Sequence, residues 1–549
     1  MFKSFVTNHK LLTTLGVCIA ASSTPLIKKD NRVAFKETLD GVSRGFKLTK
    51  TVAFLAIDYK WSFRGLTRGS QAYMDLSKIV NKRESKRVAA TFLDLGGVFV
   101  KCGQMISSGG KAIPKEWTNT MSVCQDKAEG VPFSDVARVF KEDFGLDAND
   151  LFSEIDQVPV GAASLAQVHH AVLKTGEEVA VKIQYPHLKK QLKQDINNVE
   201  RLSRIIAKMF PSFDLMWMVP MMRKELERET DFTLEGKNAQ DCKEYFASHK
   251  DIYIPTIYPE ISSKRVLVME YINGVKINDP AVSTSMGYNI RDVSKSFVRA
   301  FAEMIFVYGH VHIDPHAGNL LVRPSPSNPK QYQVVIIDHG MYYHLDKDFQ
   351  TTFCKLWQAS ILKDKKTLHE LCVSLHMEAL EFILPIMFMG QSMDSEKKIG
   401  EDMDRKDFMK LHNTMMKHQD PMEMLNAMKN MPEDFKFCMR TIQMMNGLNH
   451  SLGGSNSDRL YVMTDASQKG LDLHNVDFKQ YNITSHITHF FHYLQLRIKL
   501  AYLDIVLPIM KYYMKKQIEA MEKKKQKELE NKEKEEEQNS SLLIPAKLE

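Results

Sequence analysis

Gly309-His310-Val311-His312-Ile313-Asp314-Pro315-His316-Ala317-Gly318-Asn319 places an aspartate two residues after a histidine and an asparagine five residues further on. That is the spacing of a phosphoryl-transfer loop. The carboxylate stands beside an acceptor hydroxyl, and the amide oxygen is a ligand for a magnesium ion near the phosphates. A second magnesium ligand is needed, and Asp338-His339-Gly340 supplies it at the end of the apolar run Val334 to Ile337. Residues 319–323 and 333–338 are predicted as the arms of a hairpin around the Pro/Ser/Asn-rich loop Pro324 to Tyr332. Upstream, Val293, Phe297, Phe301, Ile305 and Tyr308 recur at helical period from Asn289, with Gly309 as the stop. Taken alone, His310-x-His312 also fits a metallohydrolase ligand pair or plain loop supports, but partners at hydrolase spacing are missing.

The nucleotide half lies earlier. Val179, Val181 and Ile183 alternate with Ala180 and Lys182 after the turn Thr175-Gly176, so 169–173 and 178–183 read as a β-hairpin. Alternation turns Lys182 to the face opposite the valines, where its ammonium neutralises α- and β-phosphates. A strand lysine is commonly just exposed, so the preceding loop matters. Gly161-Ala162-Ala163-Ser164 sits where a glycine-rich phosphate cover would lie; its alanines resist positive φ, which predicts a stiffer loop. An acidic partner for the lysine is sought on a helix opened by Pro220, where Glu225 and Glu229 stand four apart on one face. Glu225 is selected for Lys182, against the plainer reading of local pairing with Lys224 or Arg228. Val266 to Ile272 reads as an apolar strand entering a polar turn, a hinge whose backbone at Glu270 and Ile272 meets an adenine edge.

In order along the chain, the alanine-rich loop, Val-Ala-Val-Lys182, Glu229-x-Asp231, Asp314-Pro-His-x-Gly-Asn319 and Asp338-x-Gly340 resemble the aarF-domain (UbiB-like) atypical kinase family. Lys101-x-Gly103-Gln104 is a signature of that family which ordinary protein kinases lack. Within it, the resemblance is to the mitochondrial aarF-domain-containing kinase 1 subgroup. The resemblance implies an α+β, protein-kinase-like two-lobed fold with an N-terminal helical extension and a largely helical C-terminal lobe. It implies ATP and Mg2+, with Lys182 and Asp314 catalytic and Asn319 and Asp338 at the metal. Gly161, Ala162, Ala163, Ser164, Lys182, Glu225, Glu270 and Ile272 are the nucleotide-binding candidates. Lys101, Gly103, Gln104, Glu229 and Asp231 form a regulatory set that holds the extension. Members are associated with mitochondrial or bacterial lipid metabolism, often coenzyme Q synthesis, and with ATP hydrolysis more than protein phosphorylation. Three positions depart from the pattern: Gly161 precedes two alanines instead of a third, Ala317 replaces Pro, and His339 replaces Phe. The last leaves open what packs behind Asp338.

Composition agrees with a folded enzyme. The chain of 549 residues is 44% hydrophobic, too apolar for disorder. Its 74 basic and 67 acidic residues leave +7, without the concentrated basic stripe of a nucleic-acid binder. Seven scattered cysteines with no Cys-x-x-Cys suggest neither disulfides nor a thiolate zinc site. Met1 to Lys29 is basic and acid-free around the apolar run Leu11 to Ile27. A signal peptide, a presequence and a single anchor all fit that run, and the mitochondrial reading is favoured. The expected segments are 1–35 for targeting or anchoring, 36–150 for the extension, 151–275 for the N-lobe, 276–510 for the helical C-lobe and 511–549 for a charged tail. Residues 377–445 hold 15 of the 32 methionines, which an adaptable helical core explains.

Two functions follow. The first is an ATP- and Mg2+-dependent atypical kinase or ATPase acting on water or a small lipid-derived hydroxyl, associated with the mitochondrial inner membrane and with lipid or coenzyme Q homeostasis. Its partners are then nucleotide, a lipid or quinone-related small molecule and that membrane; protein partners stay unspecified. The alternative is a non-catalytic ATP-binding scaffold at the same membrane. An ordinary protein kinase is disfavoured by Lys101-x-Gly103-Gln104.

Overall fold

Alternating apolar residues along 166–184 become the centre of an antiparallel sheet. The strands are β1 (Phe152–Ile155), β2 (Gly161–Ala162), β3 (Ala166–Leu173), β4 (Glu178–Gln184) and, after the short β5 (Ile252–Tyr253) of a different sheet, β6 (Val266–Glu270). Their order is β1-β3-β4-β6, with β2 on β3. The expected hairpin is present: Val181 stands opposite His169, and Lys182 opposite Val168 on one side and Leu267 on the other. The computed structural model describes residues 29–67, 70–107, 113–126, 130–163, 165–186, 188–209, 216, 218–395, 397–401, 431–473, 483–502 and 509. Residues 1–28 of the targeting segment and the whole of the charged tail, 511–549, therefore lie outside the described residues. The chain divides into two units, Met1–Gln240 with Pro255–Ile272, and Asp241–Ile254 with Asn273–Glu549.

In the first unit the helices are α1 (Lys29–Ser62), α2 (Gln71–Leu95), α3 (Val98–Ser107), α4 (Lys115–Met121), α5 (Phe133–Phe144), α6 (Leu188–Met209), α7 (Met218–Glu229) and α8 (Phe232–Tyr245), which runs on into the second unit. Val136, Val139 and Phe140 of α5 cover Val179, Val181, Val266 and Val268. Each such fully buried side chain contributes about 1.5–3 kcal/mol. A second core joins the helical extension to the alanine-rich loop: Val98 of α3 packs with Leu188, Leu192 and Ile196 of α6, Val219 and Leu226 of α7, and Leu165. Arg44 of α1 forks onto Asp195 of α6, with Nε donating to Oδ1 at 2.9 Å and Nη2 to Oδ2 at 2.5 Å. Burial pushes the Asp195 carboxyl up while the guanidinium pulls it back, so the pair is costly to break from either end.

Gly103 on α3 has a steric reason. A Cβ there would sit 2.4 Å from Cys124 Sγ and 2.9 Å from Cys124 Cβ. The next residue closes the same contact, since Gln104 Nε2 donates to the Cys124 carbonyl at 3.1 Å.

The second unit is built around α9 (Ile290–Phe306), whose start is capped by Asn289 accepting from the Arg291 amide at 3.0 Å. Val293, Phe297, Phe301 and Ile305 are buried on the predicted face. Gly309, at φ +62°, ends the segment and turns the chain into β8 (His310–His312). A mixed sheet of order β5-β10-β9-β7 follows, from β7 (Val275–Lys276), β9 (Leu320–Ser325) and β10 (Asn328–Ile336). β11 (Tyr342–His344) pairs with β8. The hairpin differs from expectation: the strands run through most of the Pro/Ser/Asn-rich stretch, to Ser325 and from Asn328. A register shift between Asn328 and Tyr332 absorbs Pro329, which cannot donate to a ladder.

Helices α10 (Lys347–Ile361), α11 (Lys365–Ser374), α12 (Leu384–Met389), α13 (Glu433–Ser451), α14 (Asn456–Asp472) and α15 (Ile483–Ala501) complete this unit. Phe353 meets Phe388 and Phe435 edge to face in its core and Trp357 packs tilted on Phe388, with Trp357 Nε1 donating to Thr464 Oγ1 at 3.1 Å. Met377, Met389, Met439 and Met445 are buried among the helices, while the methionines of residues 402–430 lie outside the described residues. Among the described residues no helix is long and apolar enough to cross a membrane.

His310 is one of the buried polar side chains of this unit. It is buried, stacks on His344 at 4.1 Å, and neither ring nitrogen meets a hydrogen-bond partner among the described residues. Burial, helped by the neighbouring histidines, pushes it down to about 3 from the ordinary 6.5.

Two predictions follow from this packing. Gly103→Ala is expected to cost about 1–3 kcal/mol in chemical denaturation, and adding Cys124→Ala should recover part of it because the nearest clashing atom is gone. For His310, the unfolded ring takes a proton below 6.5 while the folded ring holds out to about 3. Stability is thus whole above pH 6.5 and falls as pH drops, at about 1.4 kcal/mol per unit for this proton. His310→Phe should flatten the dependence of the urea midpoint on pH between those limits; an unchanged slope would reject the assignment.

Candidate functional site

In the first unit, β4 presents Lys182 on the face away from the valine core, and its Nζ lies 2.6 Å from Glu235 Oε1. Both side chains are largely buried, at 13% and 4% exposure, and the ammonium stands 5.1 Å from the Phe232 ring. The acidic side chain seen at the lysine is thus one that the sequence reading did not select. Glu225, the residue selected, has a side chain outside the described residues. Glu235 belongs to α8, a second helix that starts directly after the one carrying Glu225. The signal for it was Asp231, whose Oδ1 accepts from the Thr233 amide at 3.1 Å and so caps the new helix.

The extension meets the same region through Lys101, whose Nζ lies 2.5 Å from Glu229 Oε1, with both side chains mostly buried. The other members of the expected regulatory set are placed differently. Gln104 bonds within the extension to Cys124, and Asp231 serves the start of α8, with Lys264 3.7 Å away. In the alanine-rich loop, Gly161 pairs with Val168 in ordinary extended conformation and has open space where a Cβ would stand. The Ala163 carbonyl accepts from Tyr185 Oη at 3.0 Å and its amide donates to Ala166 at 2.8 Å, with Ala162 in β2. Ser164 lies outside the described residues. At the hinge, the Glu270 carboxylate accepts from the Thr256 amide and hydroxyl at 3.1 and 3.2 Å, while Ile272 is buried at the end of the unit.

In the second unit one imidazole gathers the remaining candidates. The Asp314 amide donates to His312 Nδ1 at 3.1 Å, so the proton is on Nε2, which donates to the Asp338 carbonyl at 3.0 Å. His312 is fully buried, and burial holds its basicity down, which suits this neutral form. The Thr441 hydroxyl secures the His312 carbonyl at 3.2 Å. Asn319 Nδ2 donates to the Asp314 carbonyl at 3.2 Å, and the Asn319 carbonyl accepts from the Ile337 amide at 3.0 Å. The loop of Asp338 closes on itself, with the Gly340 amide donating to Asp338 Oδ1 at 3.0 Å. Outside the ring, His316 Nε2 stands 3.5 Å from Asp314 Oδ2.

These residues suit a magnesium ion. With its nitrogen turned to Asp314, Asn319 has Oδ1 as its ligand atom, and Asp338 adds a carboxylate, both hard oxygens. No cluster of three or more His, Cys, Asp or Glu at metal-binding distance occurs among the described residues. Magnesium needs none, because it is commonly bound by one or two protein oxygens together with phosphates and water.

His339 is buried and has both nitrogens occupied. Nε2 donates to the Ile336 carbonyl at 3.0 Å, so Nδ1 accepts from Tyr342 Oη at 2.9 Å. Tyr342 in turn lies 3.5 Å from Cys242 Sγ. A Phe at this position could pack but could make neither bond. Tyr342 and Cys242 were not singled out in the sequence, and Cys242 carries no local sign of this role.

Residues 123–372 match the ABC1 atypical kinase-like domain. The chain is 34% identical over 437 residues to the AarF domain-containing protein kinase 1 of Xenopus laevis, covering 79% of this chain and 84% of that protein. It is 35% identical over 394 residues to the Mus musculus protein of the same name, covering 71% and 74%. The Gallus gallus protein is 36% identical over 355 residues, covering 65% and 68%. The matched domain takes in the strand lysine, the loop of Asp314 and Asn319 and the loop of Asp338, and the chain belongs to the ABC1/AarF-domain atypical kinase family, with a protein-kinase-like α+β fold.

Proposed function

We propose that this chain is an ATP- and Mg2+-dependent enzyme that moves the terminal phosphoryl group of ATP to water or to a small lipid-derived hydroxyl. The observation that carries the reading is the His312 bracket, which ties the loop of Asp314 and Asn319 to that of Asp338 through one neutral ring. Asp314 orients the acceptor and takes its proton as the new P–O bond forms and the bond to ADP breaks. Lys182, held by Glu235, neutralises phosphate charge, and the backbone at Glu270 and Ile272 meets the adenine. Asn319 and Asp338 supply the oxygens for the metal. Magnesium, when bound, offsets the charge on the phosphates.

We place this activity at mitochondrial membranes, in lipid or coenzyme Q homeostasis. The basic, acid-free composition of residues 1–29 supports the address, and the family resemblance supports the setting.

ATP turnover by the purified chain should fall by about 10²–10⁴-fold in Asp314→Asn and comparably in Asp338→Asn, while Mg-free nucleotide still raises the melting temperature. Nucleotide-dependent stabilisation with zero turnover in the unmodified protein would instead establish the non-catalytic scaffold. A fluorescent reporter fused to residues 1–40 should enter mitochondria; its secretion or retention in the endoplasmic reticulum would remove the mitochondrial address.

A further inference from the structure

Helix α15 is covered along one side and bare along the other. Leu496 and Leu500 are 4% and 2% exposed, and the Arg497 guanidinium lies 4.5 Å from the Tyr461 ring of α14. At the helical repeat, Ile487, Phe490, Phe491, Leu494 and Ile498 fall in one sector roughly 100° wide, opposite the two buried leucines. All five are between 44% and 62% exposed, and Tyr502, one step beyond the helix, continues the stripe at 46%. Large apolar side chains gathered on one outward face mark an interaction surface.

Area and charge choose the occupant. From Ile487 to Tyr502 the stripe is about 22 Å long and one helix face of about 10 Å wide, on the order of 200 Å². A stable protein interface needs about 800 Å² from each partner, so this face alone falls well short of a dimer. A bilayer needs no matching partner surface. The charge is also one-sided: residues 478–503 contain Lys479, Arg497 and Lys499 and no Asp or Glu, in a chain whose charges are otherwise nearly balanced. Arg497 borders the stripe on one flank and Lys499 on the other. An apolar stripe carrying aromatics and rimmed by cations is the pattern of a helix lying in the plane of an anionic membrane surface.

We infer that α15 docks this chain on anionic lipid, with Phe490, Phe491, Leu494 and Ile498 entering the headgroup boundary and Arg497 and Lys499 meeting the lipid charge. The inference extends the membrane part of the proposed function and is independent of catalysis.

The full chain is sedimented, without nucleotide, with phosphatidylcholine vesicles and with vesicles containing about a third phosphatidylglycerol. The chain should favour the anionic vesicles, and Phe490→Ser/Phe491→Ser/Ile498→Ser should lower its partition by about tenfold or more. That variant leaves residues 11–27 intact, so binding through the N-terminal run would survive it; unchanged partition therefore overturns the proposal. Equal binding to both vesicle types overturns the anionic assignment. Loss of a concentration-dependent oligomer in the variant, without vesicle binding by the parent, assigns the face to a second copy instead. As a check that does not depend on removing apolar surface, Phe491→Trp should add a blue-shifted emission on mixing with anionic vesicles. Absence of that shift also counts against docking. Because none of these measurements uses ATP, their failure would leave the phosphoryl-transfer reading standing, and the reverse holds as well.

Discussion

A single buried imidazole sets the geometry of the second unit. His312 accepts from one loop and donates to the other, and it can do both only as the neutral tautomer with its proton on Nε2. Withdrawal from water enforces that form, since burial disfavours the imidazolium. The rest of the unit positions the ring. Helix α9 delivers the chain to Gly309, whose positive φ permits the turn into β8, and β11 then pairs with β8. The same pairing brings Tyr342 opposite His312 and within reach of His339. Asp314, Asn319 and Asp338 thus owe their placement to backbone hydrogen bonds around one side chain.

The first unit uses a different device, ion pairs drawn out of water. Lys182 with Glu235 and Lys101 with Glu229 are each mostly buried. Such pairs add little net stability over an apolar replacement, but losing one member leaves an uncompensated charge and is strongly destabilising. They therefore specify arrangement: the first aims the strand lysine, and the second fixes α3 of the extension against the end of α7. Gly103 serves the same end sterically by letting α3 approach Cys124.

His339 shows how a departure from a family pattern can be accommodated. In a solely apolar pocket an imidazole would leave two polar atoms unpaired. Here the Ile336 carbonyl and the Tyr342 hydroxyl take both. The substitution exchanges packing for directed bonds, which hold the residue after Asp338 in one orientation. His310 was given no such partners, and its cost appears as sensitivity to acid.

What the sequence determined by itself was local. The β3–β4 hairpin, the face of α9 with its Asn289 cap, and the loop of Asp314 and Asn319 were legible because side-chain period, turn chemistry and motif spacing act over a few residues. What only the tertiary structure decided were contacts between distant segments. Glu235 at Lys182, Cys124 at Gln104, and Tyr342 with Cys242 behind His339 each bring together residues from separate elements. The strand extension to Ser325 and from Asn328 was not legible either: the two arms pair with each other there, Ser325 opposite Asn328 and Pro324 opposite Tyr332, where turn propensity alone argued against strand. Such choices follow from which groups are dehydrated together, and a linear pattern does not carry that information.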